Sequence, residues 1–354
     1  MDLTRRQLLA GAVGGTAAVG GGRAIYNVFL GYDRFTGTNL LRQDLDPMVA
    51  SGFRPSEAHV ATVDGYRIEQ HDGVLSVADD SDTESEPLET LDPATDDPAD
   101  AAAVDAELGL SDGPLEELVA DLSAIESGNV RFVYDSYPAF FDLIAEHDAR
   151  PYTVSAVRGY RDTDPDLVAD FTGADPHDPE AVVEGLVDGF REHTNYDIER
   201  YLAGSVEDNV LFGARDLRQH FESETDFEAI LAGEDTGLFC YELTRRSVDA
   251  LQAVPAPDQT APVVGGFVKN DRHKHVYTIV ASVVRGRAGE DGDGNGDEVE
   301  DEDEDGTGDL IVPVTFLDYT HSTLYDDLRM RRILGDGLDA YDDGHRATGI
   351  HWYQ

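Results

Sequence analysis

The amino-acid sequence predicts an α+β protein, with helices and antiparallel strands gathered in blocks. A helix-rich stretch begins near residue 178, and three strand-like apolar segments follow one another after residue 260. Earlier in the chain, residues 53–77 alternate between polar and apolar around Asp64-Gly65 and Asp72-Gly73, which are typical hairpin turns. The 354 residues suffice for one large or two ordinary domains.

Residues 1–31 have the features of an export signal. Arg5-Arg6 precedes a run of small and apolar residues that ends at Gly22. This arrangement is typical of twin-arginine signals, whose substrates cross the membrane already folded. The run is short for a bilayer span, but apolar residues resume at Ala24–Leu30, so an uncleaved N-terminal membrane anchor is the alternative. We therefore expect an extracytoplasmic protein, either secreted or anchored at the cell surface.

The N-terminal part is predicted to form a smaller α/β region ahead of the main domain. Residues 32–77 are expected to be a small β-rich region, and 78–113 an acidic linker, because Asp, Glu, Pro, Ser and Thr dominate there. Residues 114–177 are expected to be an α/β connecting region. Its predicted elements are helices at Leu115–Ile125 and Pro138–His147 and strands at Val130–Tyr134 and Tyr152–Val157.

Residues 178–354 are predicted to form the main domain. Asp178-Pro179 supplies an N-cap and a first-turn proline, and the apolar residues of Glu180–His193 repeat every 3.6 positions. Further helices are expected near 208–221, at 226–232 and at Cys240–Ala253, and strands at Val263–Val268, His275–Val284 and Leu310–Leu317.

A long acidic insertion separates the last two predicted strands. Half of the 24 residues in 286–309 are Asp or Glu, so we expect a disordered surface insertion. Because the closure cost of a loop rises slowly with its length, the flanking strands are still expected to pair as a hairpin. Asp291, Asp293, Asn295 and Glu302 match part of a calcium-binding EF-hand loop, but the helices that flank such a loop are lacking. Diffuse cation binding is therefore the preferred interpretation.

The composition is strongly acidic. The chain has 73 Asp+Glu against 26 Lys+Arg, a net charge of −47, and its only lysines are Lys269 and Lys274. Such a surface resembles that of proteins from extreme halophiles, where molar salt screens like charges over about 3 Å. The charge also argues against nucleic acid as a partner, because phosphate binding requires clustered cations.

Cys240, the only cysteine, begins a predicted helix, and His275 and Asp318 follow it at strand ends. The N-terminus of a helix favours a thiolate, which is the nucleophilic form of cysteine. His275 begins one predicted strand and Asp318 ends the next, so antiparallel pairing can bring both to one sheet edge. An imidazole there can activate the thiol, and a carboxylate can orient the imidazole. The alternative is a buried cysteine that only packs.

Three stretches together resemble the core of the transglutaminase-like superfamily. They are Gly237-Leu238-Phe239-Cys240-Tyr241, the strand that begins at His275, and Val314-Thr315-Phe316-Leu317-Asp318-Tyr319-Thr320. In that family a Cys on a helix is followed by a His that begins a strand and an Asp that ends the next one. His275 follows Cys240 by 35 residues, as is typical, and Asp318 follows His275 by 43, or by 19 without the insertion. The resemblance covers about residues 178–325. This chain departs from the family at Phe239, where a small residue is usual, and at Lys274-His275-Val276-Tyr277, where the family often has Gly-His-x-Trp.

The resemblance implies a papain-like fold in which the Cys240 helix packs on an antiparallel sheet. It implies that Cys240 is the nucleophile, His275 the general base and acid, and Asp318 the orienting carboxylate. The expected function is an exported thiol-dependent enzyme that cleaves or transfers amide or acyl groups on a peptide or protein substrate, without a cofactor. A non-enzymatic surface protein that keeps the fold is the alternative, and the oligomeric state is left open.

Histidine spacing leaves a metal-dependent hydrolase as a further alternative. His273 and His275 are two positions apart, which places both imidazoles on one face of a strand. Zinc and iron sites use such ligands. Possible additional ligands near or beyond this pair are Asp271, Asp318, His321, His345 and His351.

Overall fold

The computed structural model describes residues 40, 43–81, 86–159, 163–196, 226–234, 237–271, 275–286, 309–320 and 345–352. The predicted export signal, the helix expected near 208–221 and almost all of the acidic insertion lie outside these residues. Within them the chain forms helices and largely antiparallel sheets, which confirms the predicted α+β class. No helix in the described ranges is long and apolar enough to cross a membrane.

In the N-terminal part that the structure describes, a four-stranded antiparallel sheet follows a short helix. Helix α1 spans Asp46–Ala50, and strands β1 to β4, adjacent in that order, span Ala58–Val63, Tyr66–His71, Val74–Asp79 and Glu89–Leu91. Both predicted hairpin turns are present: φ is 52° and 86° at Asp64 and Gly65, and 50° and 78° at Asp72 and Gly73. A tight two-residue hairpin needs left-handed backbone at both positions, which Asp and Gly tolerate.

The segment 78–113, predicted to be an acidic linker, contains regular structure. It contributes β4 and helix α2, Pro98–Leu108, which Asp97 caps by accepting a backbone N–H at 2.8 Å. The helix buries only Ala101 and Asp105, so its sequence has no stripe of large apolar residues at the helical period. Asp105 accepts two N–H groups at the start of the next helix, at 3.2 and 2.9 Å. The segment is therefore solvated, as predicted, but it contains regular structure that the sequence did not indicate.

The next segment alternates helices with short strands. The elements are α3, Pro114–Ser127; β5, Arg131–Tyr134; α4, Tyr137–Glu146; β6, Asp148–Ala149; and α5, Pro151–Val157. The predicted strand at Tyr152–Val157 is wrong, because these residues form α5. Pro151 occupies the first turn of that helix, where its missing N–H has no partner to lose. A short apolar run that is buried on all sides, as this one is, looks the same in a helix and in a strand.

A second group of helices leads to the cysteine. Its elements are α6, Pro165–Thr172; α7, Pro179–His193; β7, Asn195–Tyr196; α8, Phe227–Ala232; β8, Gly237–Leu238; and α9, Cys240–Leu251, followed by a 3₁₀ turn at Ala256–Asp258. Two glycines allow α6 and α7 to lie in close contact. A Cβ on Gly185 would lie 2.6 Å from the carbonyl oxygen of Thr172, and one on Gly189 would lie 2.5 Å from that of Phe171.

Among the described residues, the larger sheet has seven strands. The C-terminal ones are β9, Val264–Asn270; β10, His275–Ala281; β11, Val284–Arg285; β12, Leu310–Leu317; and β13, Gly349–Trp352. The order is β13-β9-β10-β12-β11-β6, and β5 pairs in parallel with β12. Val284 lies opposite Ile311, so the strands that flank the acidic insertion pair as predicted. The segment 114–177, which supplies β5 and β6, is joined to this sheet.

Hydrophobic clusters cover both faces of the larger sheet. Tyr277, Ile279 and Ala281 of β10 lie in one cluster with residues of α3 and α5. Val280 lies in the other cluster with residues of α4, α6, α7 and α9. Helix α9 is close enough to the sheet that a Cβ on Gly265 would come within 3.0 Å of a methyl of Val248. The helix that begins at Cys240 is thereby packed directly on the strands.

Candidate active site

Cys240 is the first residue of α9, and its side chain is buried, with 2% exposed. Phe239 is the N-cap, and its backbone N–H donates to Oε2 of Glu242 at 3.1 Å. The other first-turn amides of a helix have no intrahelical acceptor, so this end of α9 favours negative charge. The fold thus places the thiol at the electropositive end of a helix.

His275 begins β10, and Asp318 directly follows β12. The two strands pair in antiparallel, with Thr278 opposite Leu317, so the start of one lies near the end of the other. Nε2 of His275 donates to Oδ2 of Asp318 at 2.8 Å, and both side chains are buried. The second carboxylate oxygen, Oδ1, accepts the backbone N–H of Thr320 at 3.0 Å. Asp318 is therefore fixed from both sides.

The thiol of Cys240 is within hydrogen-bonding reach of His275, so the structure brings together all three residues expected at the thiol site. Burial lowers the pKa of His275. The negative charge of Asp318 and the hydrogen bonds with Asp318 and Cys240 outweigh that effect and raise the pKa to about 10. The imidazole is therefore held in its protonated form at neutral pH, between a carboxylate and a sulfur.

His345 is a fourth member of the cluster that the thiol-site prediction did not include. Its Nε2 donates to the same Oδ2 of Asp318 at 2.9 Å, and the side chain is buried. Tyr277 contacts both imidazoles: its ring stacks with His275 at 5.8 Å between centroids and meets His345 edge-on at 4.9 Å. From the sequence, His345 was predicted only as a possible metal ligand. Its contact with Asp318 was not predicted, because no fixed spacing links the two residues.

A buried hydrogen bond couples the helix of the thiol to the strand of the imidazole. The hydroxyls of Ser247 on α9 and Thr278 on β10 are 2.6 Å apart, and Ser247 also donates to the carbonyl of Thr244 at 2.7 Å. Thr244 in turn donates to the carbonyl of Cys240 at 2.8 Å. These contacts fix the position of the first turn of α9 relative to β10.

The same cluster has the composition of a metal site. One ligand atom from each of His275, Asp318 and His345 lies within 4.8 Å of the others, and all three residues are buried. Two imidazoles and one carboxylate are common ligands of zinc and iron. Of the other predicted ligands, His273 and His321 lie outside the described residues, whereas Asp271 and His351 are exposed and do not belong to this cluster.

An exposed aromatic side chain directly follows the cysteine in the sequence. Tyr241 follows Cys240 directly, is 46% exposed, and stacks on Phe267 of β9 with the ring centroids 5.5 Å apart. Exposed aromatic rings that are held in place by a neighbour are common at binding surfaces. Tyr241 is therefore the nearest candidate in sequence for contact with a bound molecule.

Comparisons with protein-family models, with curated proteins and with solved structures found no match. The functional assignment therefore depends on the geometry of the site itself.

Proposed function

We propose that the protein is a thiol-dependent enzyme of transglutaminase-like type that cleaves or transfers amide or acyl groups on a peptide or protein. The observation that supports this most directly is the position of His275, which contacts the Cys240 thiol and the Asp318 carboxylate. The order of the three residues along the chain, on a helix and on two paired strands, is the one that the papain-like fold uses. Cys240 is the nucleophile, His275 the general base and acid, and Asp318 the orienting carboxylate.

The chemistry follows from these contacts. Because Nε2 of His275 donates to Asp318, the proton exchange with the sulfur is assigned to the other ring nitrogen, Nδ1. The sulfur attacks the carbonyl carbon, the C–N bond breaks, and the departing amine takes the proton from His275. The resulting thioester is attacked by water or by a second amine, whose proton returns to His275. The backbone N–H of Cys240, at the start of α9, is suited to stabilise the negative charge on the carbonyl oxygen.

We also propose that the enzyme acts outside the cytoplasm and at high salt. Arg5-Arg6 and the apolar run behind it support export by the twin-arginine route, to the cell surface or beyond. A net charge of −47 supports function at high salt. Tyr241 offers the substrate an aromatic contact next to the nucleophile. A non-enzymatic surface protein with the same fold is the alternative if the buried sulfur cannot be reached.

Acyl transfer to the sulfur tests the proposal without knowledge of the natural substrate. The intact protein in molar KCl is mixed with p-nitrophenyl acetate, and its mass and the release of p-nitrophenol are followed. We expect one acetyl group on Cys240 that hydroxylamine removes, as it does from a thioester, and none in the Cys240→Ser variant. If the folded protein never acquires an acetyl group on Cys240, the enzyme proposal is wrong.

The buried cluster of His275, Asp318 and His345 favours one second candidate, a metal-dependent hydrolase. A zinc ion would take the place of the protons between the two imidazoles and the carboxylate and would polarise a carbonyl or a water molecule. Titration of the intact protein with ZnCl₂ separates the two proposals. Binding of one zinc that His345→Ala abolishes, in a protein that p-nitrophenyl acetate does not modify at Cys240, supports the hydrolase. Acetylation of Cys240 without zinc binding supports the thiol enzyme.

A further inference from the structure

A cavity of about 660 Å³ lies at the other end of α9 from the thiol. Its lining includes Gln252, which follows the last residue of α9, and Arg158, which follows α5. Cys240 is the first residue of the same helix, so about 18 Å of helix separates the two places. The cavity is thus distinct from the site described above.

Arg158 is a buried cation whose hydrogen-bond partners are all neutral. It is 6% exposed, and its guanidinium donates to Oε1 of Gln259 at 3.3 Å, to the carbonyl of Val263 at 3.1 Å and to the carbonyl of Val254. No carboxylate among the described residues pairs with it. Burial lowers the pKa of Arg158 to about 10, as expected of a guanidinium whose charge is not neutralised.

Arg158, which lines the cavity, still has hydrogen-bonding capacity. A guanidinium has five N–H groups, and three of those of Arg158 are engaged by the neutral acceptors. The Nε–H and one N–H on Nη2 remain for a ligand. Two N–H groups of one guanidinium match the two oxygens of a carboxylate, which is why arginine binds such groups with high specificity.

Gln252, which also lines the cavity, has a side-chain donor without a partner. Its Oε1 accepts the backbone N–H of Gly265 at 2.7 Å, which fixes the orientation of the amide group. Its Nε2 is buried and has no hydrogen-bond partner, although the residue is only 3% exposed. A buried amide N–H₂ without an acceptor is unfavourable, so the site is complementary to a molecule that brings one.

We propose that this cavity binds a small monocarboxylate, whose oxygens accept hydrogen bonds from Arg158 and Gln252. Val60, Ala61 and Ala253 offer apolar surface to the rest of such a molecule. Asp164 and Asp258 also line the cavity, and both are exposed, so they disfavour a second negative group on the ligand. A monocarboxylate is therefore a better match than a dicarboxylate or a phosphate.

Calorimetric titration of the full-length protein at constant salt tests this site. We expect sodium propionate to bind, its neutral isostere propionamide to bind at least about tenfold more weakly, and sodium succinate to bind more weakly than propionate. Equal binding of propionate and propionamide, or no binding of propionate, would overturn the proposal. Prior alkylation of Cys240 is expected to leave propionate binding unchanged, because the cavity does not depend on the thiol.

A single substitution in the wall of the cavity tests whether the proposed residues bind propionate. Gln252→Glu keeps the oxygen that accepts the N–H of Gly265 but places a carboxylate in the wall of the cavity that Arg158 also lines, where it opposes an anionic ligand. We expect it to weaken propionate binding about tenfold or more without loss of thermal stability. Asn129→Asp adds the same charge at an exposed position and is expected to have no effect on binding. Propionate affinity that is equal in Gln252→Glu and in the unmodified protein would contradict the assignment.

Discussion

His275 and His345 share a single acceptor, Oδ2 of Asp318, at distances of 2.8 and 2.9 Å. The two imidazole rings are tilted by 52° and have their centroids 6.1 Å apart, with Tyr277 against both. Since a carboxylate can only accept, both rings are protonated at Nε2. The hydrogen bond to Asp318 therefore helps to orient the ring of His275, and His345 helps to fix the carboxylate that accepts this bond.

The charge of Asp318 is expected to control the reactivity of the thiol. Asp318→Asn keeps the size of the side chain but removes the charge that does most to raise the pKa of His275. We expect iodoacetamide to alkylate Cys240 about tenfold more slowly at pH 7, as measured by mass spectrometry. Asp258→Asn, at an exposed position, is the control for loss of one charge. An unchanged rate in a folded Asp318→Asn protein would show that Asp318 does not act through His275.

His345 is expected to act as a positioning residue. His345→Gln retains an N–H that can donate to Asp318, whereas His345→Ala has none. We expect the alanine variant to lose up to about tenfold in the rate of Cys240 alkylation and the glutamine variant to retain most of it. The dependence of the rate on pH between 6 and 9 should change only in the alanine variant. If the alanine variant also keeps the rate of the unmodified protein, His345 does not act through Asp318.

A buried carboxylate far from the thiol in sequence makes stability depend on pH. Burial raises the pKa of Glu117 to about 7, outweighing the attraction of Arg150 and the hydrogen bond from the N–H of Thr153. A raised pKa means that the folded state holds its proton more tightly, so this contribution to stability is full below about pH 4.5 and is lost as pH rises through about 7.

Substitution of Glu117 tests whether its ionised carboxylate destabilises the folded protein above about pH 7. Glu117→Gln removes the charge but keeps an oxygen for Thr153, so the variant is expected to be more stable than the unmodified protein at pH 8, by about 1–3 kcal/mol, and to show no such gain at pH 4. Urea unfolding at fixed salt measures this difference. Glu116→Gln, exposed on the same helix, is the control. Equal pH dependence in both variants would refute the assignment.

The close approach of α6 and α7 is expected to require glycine. A Cβ on Gly189 would lie 2.5 Å from the carbonyl oxygen of Phe171, and backbone cannot move away as a side chain can. Gly189→Ala is therefore expected to lower the free energy of unfolding by about 1–3 kcal/mol. Asp188→Ala, whose carboxylate is 81% exposed, should change it by less than about 0.5 kcal/mol. A neutral Gly189→Ala would mean that the two helices separate easily.

The helix and the strands around the thiol were predictable because their apolar residues follow long, regular patterns. Cys240 begins an amphipathic helix, and the eight buried residues of β12 end just before Asp318. Helix α2 was missed because it buries almost nothing, and α5 was mistaken for a strand because all six residues after Pro151 are buried. The pairing of β5 with β12 depends on packing between residues far apart in the chain, which local periodicity does not report.

No sequence pattern indicated that His345 would lie next to Asp318. The segment 321–344, which lies outside the described residues, separates it from Asp318, and no motif fixes such a distance. The cavity at Arg158 was equally hidden, since its lining comes from three separate parts of the chain. Both features follow from tertiary packing rather than from any local pattern of residues.

Alkylation of the native protein by iodoacetamide at pH 7 in molar KCl tests the thiol site most directly. Cys240 is the only cysteine, so the mass gained by the protein reports on that sulfur alone. We predict complete labelling of the folded protein, at a rate at least about tenfold higher than that of a folded His275→Gln variant. A sulfur that reacts only after denaturation, or equal rates in the two proteins, would contradict the assignment.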